Sequence, residues 1–335
     1  FEIAAAHTLA SQVGGHAGVL TTEDGSLIIK PALALEHQFY QQAAADPALA
    51  PLQRWIPRFY GTLRLEGRTG PGGEIEIDGA GSTGAAVQKD EHLLSSAGSL
   101  VLENLAHAFA RPNILDAKLG TVLFDEDAPP EKRARMEKTA RETTSKQTGV
   151  RLTGFQVFDN ATRAPVNTPK AYGKSLAPAD LPAGIAKFFP IAAPAPVAAF
   201  AFASDSTPAV PSPSRSPSPS DASPPTTGLP ARTLLPILSA IARDVRAVRA
   251  ALAGVEMRMV GGSLLVVYEA EWARAAAGVE WLAAHPDGKP GPPYIVRLID
   301  FAHTRLKPGE GPDLGVLQGV DTILRLLQGR MAEVQ

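Results

Sequence analysis

The sequence contains no cysteine. That absence excludes a disulfide scaffold, thiolate metal ligation and a cysteine nucleophile, and it fits an intracellular compartment. Net charge is scarce as well: 32 Lys+Arg against 34 Asp+Glu leave −2 over 335 residues. General electrostatic binding to nucleic acid needs a clear basic excess, so direct nucleic-acid binding is not expected and any anion must be met by a local cluster. Long apolar runs are missing too. The longest uncharged stretch, 188–204, is broken by Pro190, Pro194 and Pro196 and is short for a bilayer span, so a soluble protein without a membrane role is expected. No signal peptide is visible, and the sequence starts at Phe1 rather than Met, which leaves its natural start open.

What is present is ordinary in bulk and uneven in distribution. Hydrophobic residues make up 44% and charged residues 20%, enough to build a sizeable core in one large or two ordinary domains. Residues 192–230 hold ten of the 30 prolines and eight serines but only Asp205, Arg215 and Asp221 as charges, a composition that predicts a disordered insert. The Gly-rich stretch 67–84 predicts a long hairpin loop, and 285–293 a Pro-rich break before a strand. Between these breaks, Leu20 and Leu27–Lys30 around Asp24-Gly25 predict a β-hairpin, 35–45 a helix closed by Pro47, and 100–102 and 150–158 strands. Leu234, Leu238, Ile241, Val245, Val248 and Leu252 recur at helical spacing over 234–253; 263–269 and 294–301 read as buried strands, and 314–327 as a closing helix. Strand-rich first and mixed later, this is an α+β pattern of two lobes.

Four local features could carry chemistry. Gly14-Gly15-His16-Ala17-Gly18 precedes the hairpin whose second strand ends in Lys30, a pattern that suits a phosphate cradle and equally an ordinary glycine turn. Glu36, on the following helix, could orient Lys30 or simply face solvent. The apolar strand 100–102 runs into Glu103, Asn104 and Leu105, either a hinge offering backbone groups to adenine or a plain crossover. In Pro112–Gly120, Asp116 and Lys118 stand two apart, so an extended strand points both the same way, as a structural ion pair or as working groups. Asp300 ends an apolar strand and precedes Phe301, a metal-holding position or a turn cap. Phosphoryl transfer needs a cradle, a charge clamp, an adenine slot and a metal ligand, and these features occur together in that order. A protein-kinase H-R-D loop is absent, the Arg243-Asp244 pair lying inside the amphipathic helix.

The residues 112–120 fit the P-x-x-x-D-x-K-x-G signature of the inositol polyphosphate kinases. Gly262-Ser263-Leu264-Leu265 resembles that family's S-S-L-L segment, Ile299–Thr304 its I-D-F-A-H block, and Tyr172-Gly173-Lys174-Ser175 its Y-G-R-S element. The resemblance spans nearly the whole chain except loops expected at 66–90, 192–230 and 273–293. The short connection from the signature to Glu131-Lys132-Arg133, and the Ala-His-Thr after Phe301, resemble the family's multikinase branch of fungal type. Two departures stand out: Gly262 occupies the place of the first Ser, and Lys174 that of an Arg.

The resemblance implies a two-lobed kinase-like fold of α+β class, with an antiparallel-sheet N-lobe over 1–105 for the nucleotide and a mixed C-lobe over 106–335 for catalysis and inositol binding. It implies ATP and Mg²⁺ as cofactors and conversion of inositol trisphosphate to tetrakis- and pentakisphosphate; the alternatives are a hexakisphosphate kinase or a weakly catalytic scaffold acting through partners. Lys30 would hold the α/β-phosphates, Glu36 would orient it, and the backbones of Glu103 and Leu105 would bind adenine. Asp116 would contact the ribose or the reacting hydroxyl, both of which stay open. Lys118 would bridge the transferring group and the acceptor, Asp300 would ligate Mg²⁺ with Ser263 as a further candidate, and His303 would face the substrate. Protein partners, transcription factors among them, and a nuclear or cytoplasmic location are further expectations from the family. One observation is independent of the resemblance: residues 131–146 carry six basic groups against three acids, and Lys132, Arg135 and Lys138 share a helical face suited to a polyphosphate or to solvent, with Lys170 a further candidate.

Overall fold

The computed structural model describes residues 6–8, 18–63, 67–69, 75–77, 98–192, 228–285 and 293–335. Most of the expected insert at 192–230, most of the Gly-rich 67–84 stretch and the glycine turn before Gly18 lie outside these residues.

The first part of the chain runs β1 (Ala6–Thr8), β2 (Leu20–Thr22), β3 (Leu27–Pro31), α1 (Ala34–Ala45), a 3-10 segment (Pro47–Trp55), β4 (Phe59–Leu63), a short pair β5 (Gly67–Thr69) and β6 (Ile75–Ile77), and β7 (Ser99–Glu103). Strands order as β1-β2-β3-β7-β4, all antiparallel. The expected hairpin forms: Leu20 faces Ile29, and Gly25 takes φ +73° at the turn, where a Cβ would be strained. The Asp24 carboxylate accepts from Thr22 Oγ1 at 2.6 Å and from Ser26 N and Oγ, and these bonds pull its pKa down to about 2.

The second part comprises β8 (Pro112–Leu119), α2 (Pro130–Glu142), α3 (Ser145–Thr148), β9 (Val150–Asp159), β10 (Ala164–Thr168), α4 (Lys170–Ser175), α5 (Leu181–Phe188), α6 (Ala231–Ala253), β11 (Met257–Val260), β12 (Ser263–Glu269), α7 (Trp272–Ala284), β13 (Tyr294–Ile299), β14 (His303–Leu306) and α8 (Leu314–Val334). Its main sheet is β10-β9-β8-β12-β13, again antiparallel. One face carries Leu115, Ala117, Leu119, Leu264, Val266, Val296 and Leu298 into the core that α6 and α8 cover. The apolar stripe predicted for 234–253 is the buried side of α6, with Leu234, Leu238, Ile241, Val245, Val248 and Leu252 all in that core. By strand alternation the opposite face presents Asp116, Lys118, Ser263, Leu265 and Arg297.

The expectation of a loop over 273–293 is corrected by α7. Glu271 caps it, its carboxylate accepting from Ala273 N and Arg274 N, and the alanines that follow are strong helix formers. Likewise β13 stops at Ile299 rather than continuing to 301, because Asp300 turns the backbone to φ +64°.

A close approach fixes the Tyr172-Gly173 element. A Cβ on Gly173 would fall 1.5 Å from the Leu152 carbonyl oxygen, so α4 sits against β9 only because that residue has no side chain. Gly173→Ala must lift α4 away and is expected to cost about 1–3 kcal/mol as overpacking does. A lowered thermal midpoint checks this; an unchanged one contradicts the packing.

Candidate active site

Lys30 on β3 is 8% exposed, and its Nζ donates to Glu36 Oε1 and to Asp300 Oδ1, each at 2.8 Å. One ammonium therefore ties the first sheet, helix α1 and the end of β13 together. Burial alone would push Lys30 down, but the Asp300 and Glu36 carboxylates outweigh it and hold its pKa above the usual lysine value. Glu36, 1% exposed, also accepts from the Phe301 N–H at 3.3 Å, while its Oε2 lacks a hydrogen-bond partner. Phe301 stacks on Phe39 with centroids 4.0 Å apart and meets the edge of Tyr40. This anchored ring and the Thr304 N–H to Phe301 carbonyl turn hold Asp300 in the left-handed region, where a non-glycine residue costs on the order of 1–3 kcal/mol.

Asp116 and Lys118 extend from β8 on the same face, as two-residue spacing requires. Asp116 is 3% exposed and its Oδ1 has no hydrogen-bond partner. Burial raises its pKa; the neighbouring Ser263 hydroxyl and the Lys118 and Lys170 ammonium groups oppose that, and the Asp300 charge adds to it. Lys118 Nζ donates to the Gly261 carbonyl at 2.6 Å, and burial pushes it down against the pull of Asp116 and Asp300. Lys118 and Asp300, remote in sequence, thus share one electrostatic neighbourhood. A bulge on β9 sets Gly154 opposite Asp116.

Ser263 lies directly across from Lys118, fully buried, its Oγ without a hydrogen-bond partner. The departure at Gly262 has a local cause: a Cβ there would meet Met259 Cγ at 2.6 Å, so the Met259 side chain fills the space a serine would occupy. Lys170 opens α4, held by Gly173, and acts on both Asp116 and Lys118. His303 opens β14 opposite Val260, next to the turn whose Gly261 carbonyl takes Lys118, and pairs through Nδ1 with Asp125 Oδ2 at 2.6 Å. At the hinge, the Glu103 N–H donates to the Arg58 carbonyl at 3.0 Å, so that N–H is already engaged, and Leu105 is buried two residues on.

The basic face of α2 is the exception to this convergence. Helix α2 forms over Pro130–Glu142 with Ala140 its one buried residue, so Arg135 and Lys138 are solvent-facing and Lys132 half-buried. Lys138 pairs with Glu142 at 3.7 Å, and none of the three forms an ion pair with Asp116 or Asp300. What ties α2 to the site is the preceding loop, where Asp125 holds His303, Glu126 and Asp127 hold Arg305, Glu126 holds Lys307, and Arg133 donates to the Ala128 carbonyl at 2.8 Å.

Arg151 is the group that sequence reasoning missed. It stands on β9 opposite Lys118, half-buried, and its pKa is lowered by burial against the pull of Asp116. Its sequence neighbourhood marks only a strand over 150–158; what singles it out is the register that sets β9 beside β8.

A buried lysine bridging two antiparallel-sheet halves, with a carboxylate at a strand end and an Asp-x-Lys on the neighbouring strand, defines a two-lobed α+β fold of kinase type. The family model for inositol polyphosphate kinase matches residues 99–199 and 229–328, more than half of the chain. The chain belongs to the inositol polyphosphate kinase family. It is 36% identical over 176 residues to an inositol polyphosphate multikinase of Saccharomyces cerevisiae, covering 45% of this chain and 47% of that protein. A multikinase of Schizosaccharomyces pombe is 32% identical over 179 residues, covering 53% and 61%. The chain thus spans about half the length of these curated relatives. Among solved structures, inositol phosphate multikinase Ipk2 from S. cerevisiae, in complex with ADP and Mn²⁺, matches with TM-score 0.61 and 25% identity over 92% of this chain and 100% of that one.

The raised pKa of Asp116 has a stability consequence. Its folded value lies above its unfolded one, so ionisation penalises the fold once pH rises through the usual carboxylate range, and the penalty vanishes at lower pH where both states are protonated. Asp116→Asn is therefore expected to raise the thermal midpoint of the ligand-free protein by a few degrees at pH 7 and to leave it unchanged near pH 3. A midpoint lowered at pH 7 would contradict the burial argument.

Proposed function

We propose that the chain is an ATP-dependent inositol polyphosphate kinase of multikinase type, carrying inositol trisphosphate to tetrakis- and pentakisphosphate. The observation that carries this reading is the convergence of Lys30, Asp300, Asp116 and Lys118 in one cleft. Family membership and the likeness to a multikinase solved with ADP and Mn²⁺ support it. In this reading residues 1–105 form the nucleotide lobe and 106–335 the catalytic and acceptor-binding lobe.

The donor set fits a hard divalent cation such as Mg²⁺. Among the described residues no group of three or more His, Asp or Glu gathers, and Mg²⁺ characteristically uses one or two carboxylates plus phosphate oxygens and water. Asp300 would supply a carboxylate, with the unpartnered Ser263 Oγ as a further candidate. Such an ion, when bound, supplies neutralising charge at the β/γ-phosphate oxygens.

The chain's own groups do the rest. Lys30, aligned by Glu36, meets the α/β-phosphates, and the Glu103 carbonyl with the Leu105 backbone takes adenine. Lys118 stabilises charge on the moving phosphoryl group; it leaves the Gly261 carbonyl to do so. Asp116 sits where it can orient the ribose or the attacking hydroxyl. His303, held at Nδ1 by Asp125, turns Nε2 toward the acceptor, and Lys170 with the α2 cations Lys132, Arg135 and Lys138 adds positive charge on the acceptor's approach. Positioning and electrostatics account for most of phosphoryl-transfer catalysis.

Incubation with Mg-ATP and inositol 1,4,5-trisphosphate, followed by separation of products by charge, tests the reading. Tetrakis- and pentakisphosphate are expected, with Lys118→Ala slowing turnover about 10²–10³-fold, as removal of one preorganised charge does. Turnover by Lys118→Ala within threefold of wild type, or hexakisphosphate as the sole accepted substrate, would overturn it.

A further inference from the structure

Arg151 is a half-buried cation for which neither the fold nor the roles assigned above have a use. It is directly opposite Lys118 on adjacent antiparallel strands, and like charges in that register repel. Its Nη1 is buried and has no hydrogen-bond partner, and it forms no ion pair among the described residues. The nearest compensation is Asp116, whose own Oδ1 is also without a partner, so the two are close enough to interact yet not joined. A planar guanidinium with spare donors beside an ammonium is a receptor for a dianionic group lying between them.

The sheet says which dianion. Strand order β9-β8-β12-β13 with the observed registers places Arg151, Lys118, Ser263 and Ile299 in one row across the cleft face, with Asp300 next after Ile299. At about 4.8 Å per strand, Arg151 and Ile299 lie about 14 Å apart along that row, with Lys118 between them and Asp300 just beyond Ile299. The field follows this order: Lys118 feels both Asp116 and Asp300, whereas Arg151 feels Asp116. The nucleotide end of the row is the one that Lys30 marks through Asp300. Arg151 stands at the other end, beyond the lysine that handles the transferring group and on the side to which α4 brings Lys170.

We infer that Arg151 is a specificity-determining residue that binds a ring phosphate of the acceptor, clamping it against Lys118 and Lys170, and takes no part in holding ATP. The inference rests on the kinase reading for the identity of the acceptor, but not for the anion site itself. A guanidinium there favours an acceptor carrying a phosphate next to the attacked hydroxyl over one carrying only hydroxyls at that position.

Calorimetric binding of inositol 1,4,5-trisphosphate, without nucleotide, to wild type, Arg151→Met and Arg151→Lys tests it, with Mg-ATP affinity measured on the same samples. The expected result is trisphosphate affinity at least tenfold weaker in Arg151→Met, partly restored in Arg151→Lys, with Mg-ATP affinity within twofold of wild type in both. Equal trisphosphate affinity in wild type and Arg151→Met, no trisphosphate binding by wild type, or a parallel fall in Mg-ATP affinity would each overturn the inference. Wild type that binds trisphosphate through Arg151 but phosphorylates no inositol phosphate would sink the kinase reading and leave this site standing.

Discussion

A single ammonium shared by two carboxylates organises this protein. Lys30 reaches Glu36 within its own half and Asp300 across the cleft, so one buried charge registers two neighbouring elements with a third 270 residues away. The cluster carries two negative charges for one positive. Removing Lys30 would be costly, because both carboxylates would be left uncompensated in a poorly solvated place. Asp300 adds the strain of a left-handed backbone, and the stacked Phe301 holds it there. A strained residue fixed by packing is what a site looks like when geometry is set before the ligand arrives.

The cleft is consequently polar in the electrical sense. Glu36 and Asp300 make one end acidic and suited to a metal ion; Lys118, Arg151 and Lys170 make the other basic and suited to phosphates, with Asp116 among them as their counter-charge. Neither end is comfortable without ligands: Asp116 is pushed toward its neutral form, Lys118 toward its own, and Glu36, Asp116, Ser263 and Arg151 each bury a polar atom without a partner. Unmet polar groups concentrated in one cleft signal function rather than poor packing.

Much of this could be read from the amino-acid sequence, and the reasons differ by element. Asp116 and Lys118 share a face because strands have period two, and α6 buries its stripe because helices have period 3.6; both are local rules. The pairing of Lys30 with Asp300, 270 residues apart, lies outside any local pattern; the family resemblance implied a nucleotide role for each but did not pair them. Arg151 was invisible because its importance comes from strand register, which neither propensity nor spacing encodes. Helix α7 was taken for a loop because its alanines offer little amphipathic contrast, and Gly262 became intelligible only when Met259 was seen in the space above it. The basic face of α2 shows the opposite limit: the helix and its charge pattern were readable, whereas its solvent exposure depends on what packs against it.

The account stands on Asp300 being a metal-dependent nucleotide anchor rather than only a structural partner of Lys30. ATP affinity measured calorimetrically with Mg²⁺ and with a chelator, in wild type and in Asp300→Asn, addresses this directly. Wild type is expected to bind ATP at least tenfold more tightly with Mg²⁺, and Asp300→Asn to lose most of that difference while remaining folded. An Mg²⁺ dependence in Asp300→Asn equal to that of wild type would contradict the account.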